Sequence, residues 1–286
     1  MFTMFDIHTS SCVTLNDVDA EIKRLLSLNP SQVFDAARYH FSAGGARVRA
    51  QLGLDAASGL NLSAQASMAC AVAPELLHNA SLIHDDLQDG DAMRRDTPAV
   101  WSRYGKGTAI SAGDLLISAA YMAITNHPHP APALRAMHDA VATTIAGQSA
   151  DCCAGQPNPE DCAAIAANKS GPLLALPIRL ALLAAEAPGQ DIVVSAGRAL
   201  AVAYQTLDDL ADREADLKNG ITNICLSLEA SGYAPKAAKI IASDRAYSAL
   251  EAARQDASAL QNGAGASLLS LADHLEIHLK DFVDAA

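Results

Sequence analysis

Aromatic side chains are scarce in this sequence of 286 residues. They make up 4% of the chain, whereas hydrophobic residues as a whole make up 50%. β-Sandwiches depend on Val, Ile, Thr and aromatic residues, and disordered chains have too little apolar surface to fold, so neither class fits. Alanine and leucine, which lose little free energy on entering a helix, are abundant instead. The composition therefore predicts an all-α globular fold.

Positive charge is also scarce. The sequence has 20 Lys and Arg against 32 Asp and Glu, a net charge of −12, and contains no run of Lys or Arg. Nucleic acid and anionic lipid are not expected as partners, because both are bound by cationic surfaces. No Lys or Arg precedes Lys23, so the basic start of a signal or transit peptide is missing, and the six cysteines form no metal-type pairs. We expect a cytoplasmic protein with mostly buried thiols.

Long hydrophobic runs are missing as well. A membrane-spanning helix needs roughly twenty consecutive apolar residues. The most apolar stretch, residues 172–185, is interrupted by Pro177 and by the charge of Arg179. The sequence therefore predicts no transmembrane segment.

What is present is a helical pattern. Apolar residues recur at three- and four-residue spacing, and short segments rich in Pro, Gly and Asn interrupt them in a way that indicates helix ends and not hairpins. Short links between long helices favour antiparallel neighbours, and no flexible linker divides the chain, so residues 1–286 are expected to form one all-helical domain. The pattern predicts helices near residues 16–28, 31–42, 47–59, 62–89, 108–125, 131–154, 159–185, 190–216, 234–261 and 265–283.

The pattern Asp-Asp-x-x-Asp occurs twice, each time near the end of an apolar helix. Side chains three and four residues apart lie on one helix face, where like charges repel and the negative end of the helix dipole adds to the cost. Mg²⁺ offsets such repulsion, and it typically bridges one or two carboxylates to substrate phosphates. Two facing patches would form a cavity for Mg²⁺ and a polyphosphate. The carboxylates are Asp85, Asp86 and Asp89 in the first motif and Asp208, Asp209 and Asp212 in the second.

These motifs resemble the two aspartate-rich regions of the trans-isoprenyl diphosphate synthases, the polyprenyl synthetases. SLIHDDLQDGDAMRRDTPAVW at 81–101 resembles the first region, and AYQTLDDLAD at 203–212 resembles the second. The likeness extends from residue 44 to about residue 219 and includes GGARVR, AGD, GQSAD and the pair Lys169-Ser170. It implies an all-α prenyltransferase fold, an antiparallel helical bundle around a central cavity, that is usually homodimeric.

The resemblance also implies a reaction. In this family an allylic diphosphate condenses with isopentenyl diphosphate to give a longer prenyl diphosphate. Mg²⁺ and cationic side chains neutralise the departing diphosphate, the allylic carbocation is attacked by the double bond of isopentenyl diphosphate, and a proton is lost. The six aspartates are then the implied Mg²⁺ ligands. The implied catalytic residues are Asp85, Asp86, Asp89, Lys169, Gln205 and Asp208.

Further roles follow from the same resemblance. Lys169, followed by Ser170, corresponds to the lysine that contacts the allylic diphosphate, and Gln205 corresponds to a glutamine close to the reacting carbons. Arg94 is expected on the allylic diphosphate and Arg95 on isopentenyl diphosphate, since guanidinium groups bind phosphate oxygens bidentately.

Three other residues complete the implied substrate contacts. His78 and Arg49 are expected at isopentenyl diphosphate, and Lys218 is a candidate for a later diphosphate-binding lysine. Some members of the family space the first motif so that Asp91 would replace Asp89. Arg94 lies eight residues after Asp86, the spacing of the shorter motif, which favours Asp89.

The sequence departs from the family at one substrate contact. Ala46 replaces the lysine of the Gly-Gly-Lys-Arg-x-Arg region that binds isopentenyl diphosphate. A charge-assisted phosphate contact contributes about 1.5–3 kcal/mol. Weaker binding with retained activity, compensation by Arg47 or another cation, and a changed reaction are all open at this point.

Two small residues bear on product length. In this family, aromatic side chains four and five positions before the first aspartate stop chain growth at farnesyl, and here those positions hold Ser81 and Ala80. We therefore predict a product longer than farnesyl diphosphate, with geranylgeranyl diphosphate as the best single choice. One alternative is a class I terpene cyclase or diphosphate lyase on the same fold. Ala46 motivates it, because such an enzyme needs no second substrate. The other alternative is a non-catalytic subunit of a heteromeric synthase.

Overall fold

The fold is built almost wholly from helices. The structure, a computed structural model, describes residues 13–153 and 157–284. Within these ranges there are twelve α-helices, and a 3₁₀ turn at Gln261–Gly263 separates the last two. They are α1 Leu15–Leu25, α2 Gln32–Ser42, α3 Val48–Gly59, α4 Ala64–Asp89, α5 Val100–Tyr104, α6 Lys106–Ile124, α7 Pro130–Cys153, α8 Pro159–Ala184, α9 Gln190–Asn219, α10 Ile224–Ala230, α11 Pro235–Ala259 and α12 Ala266–Asp284. The predicted all-α class is confirmed.

All ten predicted helices are present, with ends that differ by a few residues. The sequence pattern missed α5 and α10, because helices of five and seven residues are too short to display a helical period. The apolar residues of α5 and α10 are equally compatible with a loop.

The expectation that no hairpin occurs is wrong at one place. Strands β1 Met93–Arg94 and β2 Thr97–Pro98 pair antiparallel, with Arg94 opposite Thr97. The two residues between them, Arg95 and Asp96, have φ of 51° and 61°. Two consecutive left-handed residues form the tight turn that suits the twist of a hairpin. The hairpin follows the first aspartate motif. Arg94 directly precedes the turn and Arg95 lies in it, so the turn sets the positions of both arginines.

The core lies where α4, α8 and α9 pack side by side. Helix α8 contacts α7 and α9, and α4 contacts α3 and α6. Both α4 and α8 bury residues around most of their circumference, as expected of helices in the middle of a domain. The first aspartate motif ends α4, and Lys169 in α8 and the second motif in α9 lie on the helices that pack beside it.

Helix α6 is the only helix in the described part of the chain that is long and apolar enough to cross a membrane by length and composition. It was not the stretch singled out in the sequence. Of its most apolar window, 44% is buried inside the protein, and the core helix of a soluble protein passes the same test.

Two glycines allow close approach between elements near the aspartate motifs. A Cβ on Gly147 of α7 would collide with the backbone nitrogen of Lys169 on α8, and a Cβ on Gly113 of α6 would collide with the ring of His84. These glycines belong to the GQSAD and AGD segments. Helix packing explains why glycine occupies both positions, because a larger residue would collide with the neighbouring backbone or ring.

We predict that Gly147→Ala destabilises the protein by about 1–3 kcal/mol, because backbone atoms of α8 cannot move aside as a flexible side chain can. Urea denaturation of the two proteins measures the change. Gly107→Ala is the matched control, since nothing lies within 4 Å of a Cβ there and alanine is the better helix former. Equal effects of the two substitutions would contradict the packing argument.

Candidate active site

A polar cavity of about 390 Å³ lies at the end of the bundle where α4, α7, α8 and α9 meet. We call it the carboxylate cavity. It brings together a carboxylate of the first motif, a carboxylate of the second motif and a lysine from α8. Its lining residues are Asp89, Asp91, Asp151, Cys152, Cys162, Ile165, Ala166, Lys169, Gln205, Asp209, Gly220, Ile221 and Thr222.

Lys169 is the cation of this cavity. Its Nζ lies 2.6 Å from Oδ2 of Asp151 at the end of α7. Burial lowers the pKa of Lys169, but the hydrogen bond to Asp151 and the charges of Asp85 and Asp89 raise it overall. The ammonium group is therefore held charged between carboxylates of α4 and α7.

The carboxylates of the first motif lie in three different environments. Asp86 is 1% exposed; its Oδ1 accepts a hydrogen bond of 2.7 Å from Nε of Arg94, and its Oδ2 is buried without a partner. Burial raises the pKa of Asp85 to about 6, although the charge of Lys169 opposes the shift. Asp89 is the last residue of α4 and its pKa is also raised, mainly by burial.

The second motif is anchored by the chain that follows it. Oδ2 of Asp209 accepts the N–H of Ile224 at 2.7 Å, and Oδ1 accepts Nε2 of Gln205 at 2.8 Å. Asn223 is fully buried, caps α10 and donates to the backbone oxygen of Asp209 at 2.7 Å. Burial raises the pKa of Asp209 to about 6 in spite of these hydrogen bonds. Asp209 is thus fixed with its carboxylate towards the cavity.

Asp208 and Asp212 are less closely held. Burial and then the charge of Asp212 raise the pKa of Asp208 to about 6. Asp212 is exposed, and neither residue is among those that line the cavity. Asp91, the alternative to Asp89 in the sequence, lines the cavity beside it.

The residues present fit a divalent metal ion bound together with a phosphate. The cavity has more carboxylates than cations, the free Oδ2 of Asp86 needs a partner, and several of these carboxyl groups are costly to ionise without one. In residues 13–153 and 157–284 no three His, Cys, Asp or Glu side chains converge as a complete metal site. Mg²⁺ typically takes one or two protein carboxylates and completes its shell with water and phosphate.

A cluster of cationic side chains, which we call the cationic cluster, lies next to the first motif. Arg49 is half-buried, its buried Nε has no hydrogen-bond partner, and burial lowers the pKa of Arg49. The pKa of His78 is lowered well below its usual value by burial and then by the charges of Arg49, His40, Arg95 and Arg94. His78 is therefore a neutral ring among guanidinium groups. A buried unpaired guanidinium nitrogen beside further arginines is suited to an anion.

Arg47 is committed to the protein itself. Its Nε lies 2.8 Å from Oδ1 of Asp19, its Nη1 lies 3.9 Å from Oε1 of Glu75, and its guanidinium group stacks 5.1 Å from the ring centroid of Phe41. Ala46 is exposed on the loop before α3. Because Arg47 is already paired, Arg49 and Arg95 are better placed to compensate for the missing lysine.

The structure separates some of the other predicted residues from the cavity. Lys218 is exposed in the last turn of α9 and does not line the cavity, where Gly220, Ile221 and Thr222 lie instead. Ser170 is half-buried beside Lys169.

The two chain-length residues occupy different places. Ala80 is 1% exposed in the core. Ser81 lines a largely apolar groove of about 410 Å³ between α4 and α7, which we call the α4–α7 groove. Asp85 and Cys152 line the same groove, and Cys152 also lines the carboxylate cavity, so the two spaces adjoin.

Sequence reasoning missed Asp151 and Asn223. Asp151 ends the GQSAD segment, 18 residues before Lys169, and its contact with that lysine depends on how α7 and α8 pack. Asn223 carries a recognisable helix-capping signal, but the helix that it caps was not predicted.

Of the five described cysteines, three are buried and Cys152 and Cys153 are exposed, all of them as free thiols. The sixth cysteine, Cys12, lies outside the described residues.

Comparison with known proteins decides the family. A family model described as polyprenyl synthetase matches residues 30–222, which include both aspartate motifs and Lys169. The chain belongs to the polyprenyl synthetase family.

The relatives it matches have related names. It is 35% identical over 173 residues to a (2E,6E)-farnesyl diphosphate synthase of Mycobacterium tuberculosis, a match that covers 58% of this chain and 48% of that protein. It is 43% identical over 105 residues to a geranylgeranyl diphosphate synthase of Methanosarcina mazei, covering 36% of this chain and 32% of that protein. The matches thus span half or less of the length of these relatives.

The fold has a close counterpart among solved structures. The structure of a geranylgeranyl pyrophosphate synthetase from Geoglobus acetivorans superimposes with a TM-score of 0.82 at 24% identity, covering 90% of this chain and 96% of that chain. At this identity the likeness establishes the shared fold.

We predict that Asp208→Asn stabilises the metal-free protein by about 1 kcal/mol at neutral pH. This value is smaller than the full pKa shift would give, because solvent screens a partly exposed carboxylate. The pKa of Asp208 is raised in the fold from 3.8 to about 6, so ionisation costs stability as the pH rises through that window. The gain should vanish below pH 3.8, where the carboxyl is protonated in both states. Urea denaturation with a chelator present measures it. Asp244→Asn, on the exposed face of α11, is the control, and equal gains from both would contradict the assignment.

Proposed function

We propose that the protein is a trans-prenyltransferase that condenses an allylic diphosphate with isopentenyl diphosphate to a longer prenyl diphosphate. The observation that carries the proposal is the carboxylate cavity, in which Asp89 and Asp209 face the same space as Lys169 and Gln205. The cationic cluster of Arg49 and Arg95 around His78, beside the first motif, supports the binding of a second anionic substrate.

Mg²⁺ is the proposed cofactor, held by Asp85, Asp86 and Asp89 on one side and by Asp208, Asp209 and Asp212 on the other. When bound, Mg²⁺ neutralises the charge that develops on a departing diphosphate. Asp89 and Asp209 are the two that line the cavity, and binding by the other four requires their side chains to turn towards it.

The protein's own groups have separate tasks in this proposal. Lys169 and Arg94, both already charged beside the first motif, bind the allylic diphosphate and stabilise it as it leaves. Arg49 and Arg95, with His78, bind isopentenyl diphosphate. Gln205 is held by Asp209 at the cavity wall, close to where the reacting carbons would lie. A carbocation must be shielded from water, and Ile165, Ala166 and Ile221 are the apolar residues of the cavity lining that would do so.

The proposed product is longer than farnesyl, with geranylgeranyl diphosphate the best single choice. The α4–α7 groove adjoins the cavity, and Ser81 leaves it open where an aromatic side chain would fill it. The named relatives include both farnesyl and geranylgeranyl diphosphate synthases, so the relatives' names leave the length undecided.

A diphosphate lyase or class I terpene cyclase is the second candidate. The shortage of free cations for isopentenyl diphosphate at residues 46 and 47 favours it. Ala46 contributes no charge, and Arg47 is paired with Asp19. Such an enzyme ionises an allylic diphosphate without isopentenyl diphosphate. A non-catalytic subunit is the third candidate, but it would not need the carboxylates of both motifs.

We also propose a homodimer, a single domain and a cytoplasmic location without a membrane-spanning helix. Helices α6 and α7 expose large apolar side chains that a second copy would cover. These are Ile110, Tyr121, Met122, Leu134 and Ile145.

One assay tests the function. Purified protein is incubated with Mg²⁺ and geranyl or farnesyl diphosphate, with and without isopentenyl diphosphate, and the products are separated by chain length. We expect elongation only when both substrates are present. Asp85→Ala and Lys169→Ala should each reduce it by about two orders of magnitude or more, since both remove charge stabilisation of the leaving group. Diphosphate release without isopentenyl diphosphate would support the lyase, and silence in both reactions would support the subunit.

We predict that Ser81→Phe shortens the product. A phenyl ring at residue 81 would occupy the α4–α7 groove beside Asp85, whereas Phe at the buried Ala80 would also disturb the core. Chromatography of the prenyl chains measures the change in length. Ser258→Phe, on the exposed face of α11, is the control for adding an aromatic side chain. An unchanged product from Ser81→Phe would mean that the chain runs elsewhere.

A further inference from the structure

The outer face of α12 carries two histidines one turn apart. Nε2 of His274 lies 3.1 Å from Nε2 of His278, and the ring centroids are 4.5 Å apart at an interplanar angle of 88°. Both side chains are exposed. The two ring nitrogens therefore point to one spot at the protein surface.

The spacing matches a chelate. Imidazole nitrogens bind Zn²⁺ at about 2.0–2.1 Å, so two nitrogens 3.1 Å apart would subtend about 100° at the ion, between the octahedral and tetrahedral angles. We propose that His274 and His278 bind a divalent transition cation such as Zn²⁺, with water in the remaining positions. The competing arrangement is an N–H···N hydrogen bond between the two rings, in which the cation has no place.

This site differs from the carboxylate cavity in chemistry and in place. Imidazole nitrogen selects Zn²⁺, Ni²⁺ or Cu²⁺ and not Mg²⁺, which prefers oxygen. Helix α12 packs against α3, α9 and α11, and neither histidine lines the cavity.

The charges around the pair leave room for a cation. Two cationic side chains that contact this part of α12 or belong to it are already paired, since Lys280 lies 2.5 Å from Glu276 and Arg254 lies 3.0 Å from Asp273. Asp281 is exposed and follows His278 by three residues, on the same helix face.

A bound ion would tie residue 274 to residue 278 and so hold the turn of α12 between them. Because the chelate exists only in the helix, binding stabilises the folded state. At a free Zn²⁺ concentration of about 100 times the dissociation constant, the unfolding equilibrium constant should fall about 100-fold.

Calorimetric titration of the full chain with Zn²⁺ tests the proposal. Excess Mg²⁺ is included to fill the oxygen sites, and accessible thiols are first blocked with iodoacetamide. We expect His274→Gln and His278→Gln each to weaken one Zn²⁺ site about a hundredfold, because the second nitrogen acts at high effective concentration only when the first is bound. His138→Gln, which removes an exposed histidine from α7, is the matched control and should leave the site unchanged.

The outcomes decide between the two arrangements. Loss of the same site in both α12 variants, with loss of the Zn²⁺-dependent shift in thermal unfolding, supports the chelate. Zn²⁺ binding that is unchanged in both variants, or weakened equally in all three, overturns it. Neither result depends on prenyltransferase activity.

Discussion

An excess of partly buried negative charge is the constraint on which the rest of the site depends. Carboxylates from three helices face one cavity whose cation is Lys169. Burial raises the pKa of Asp85, Asp208 and Asp209 to about 6, so each ionised carboxylate costs folding free energy. Such an arrangement is stable only if packing elsewhere outweighs the cost, and it favours a ligand that brings positive charge. The same repulsion that costs folding free energy favours the binding of a metal ion together with a phosphate.

The framework resists this repulsion by fixing each carboxylate separately. Arg94, placed by the left-handed turn of the short hairpin, holds Asp86. The N-terminus of α10 and the cap residue Asn223 hold Asp209 from behind. Close contact of α7 with α8 brings Asp151 to Lys169, and Gly147 permits that contact. Asp86, Asp151 and Asp209 thus each have at least one structural partner, and Oδ2 of Asp86 is left without one.

The sequence predicted the long helices well because their apolar residues repeat over many turns, as in α4 and α8. It also identified both aspartate motifs, since residues three and four apart share a helix face whatever the tertiary structure. It could not predict partners that tertiary packing brings together, such as Asp151 with Lys169 or Arg47 with Asp19. Short elements failed for a related reason: five or seven residues of α5 and α10 contain too little periodicity to separate helix from loop.

The replacement of the family lysine by Ala46 leaves other cationic side chains in place beside the first motif. A lysine at residue 46 would lie on an exposed loop, whereas Arg49 is half-buried and its Nε is buried without a partner, where the local dielectric is lower and each charged contact is stronger. Arg95 is held near the same loop by its contact with the backbone oxygen of Gly44. Binding of an anion by Arg49 would recover the desolvation cost that now lowers its pKa. Under the proposed function, Arg49 and Arg95 would therefore make the phosphate contact that Ala46 cannot make.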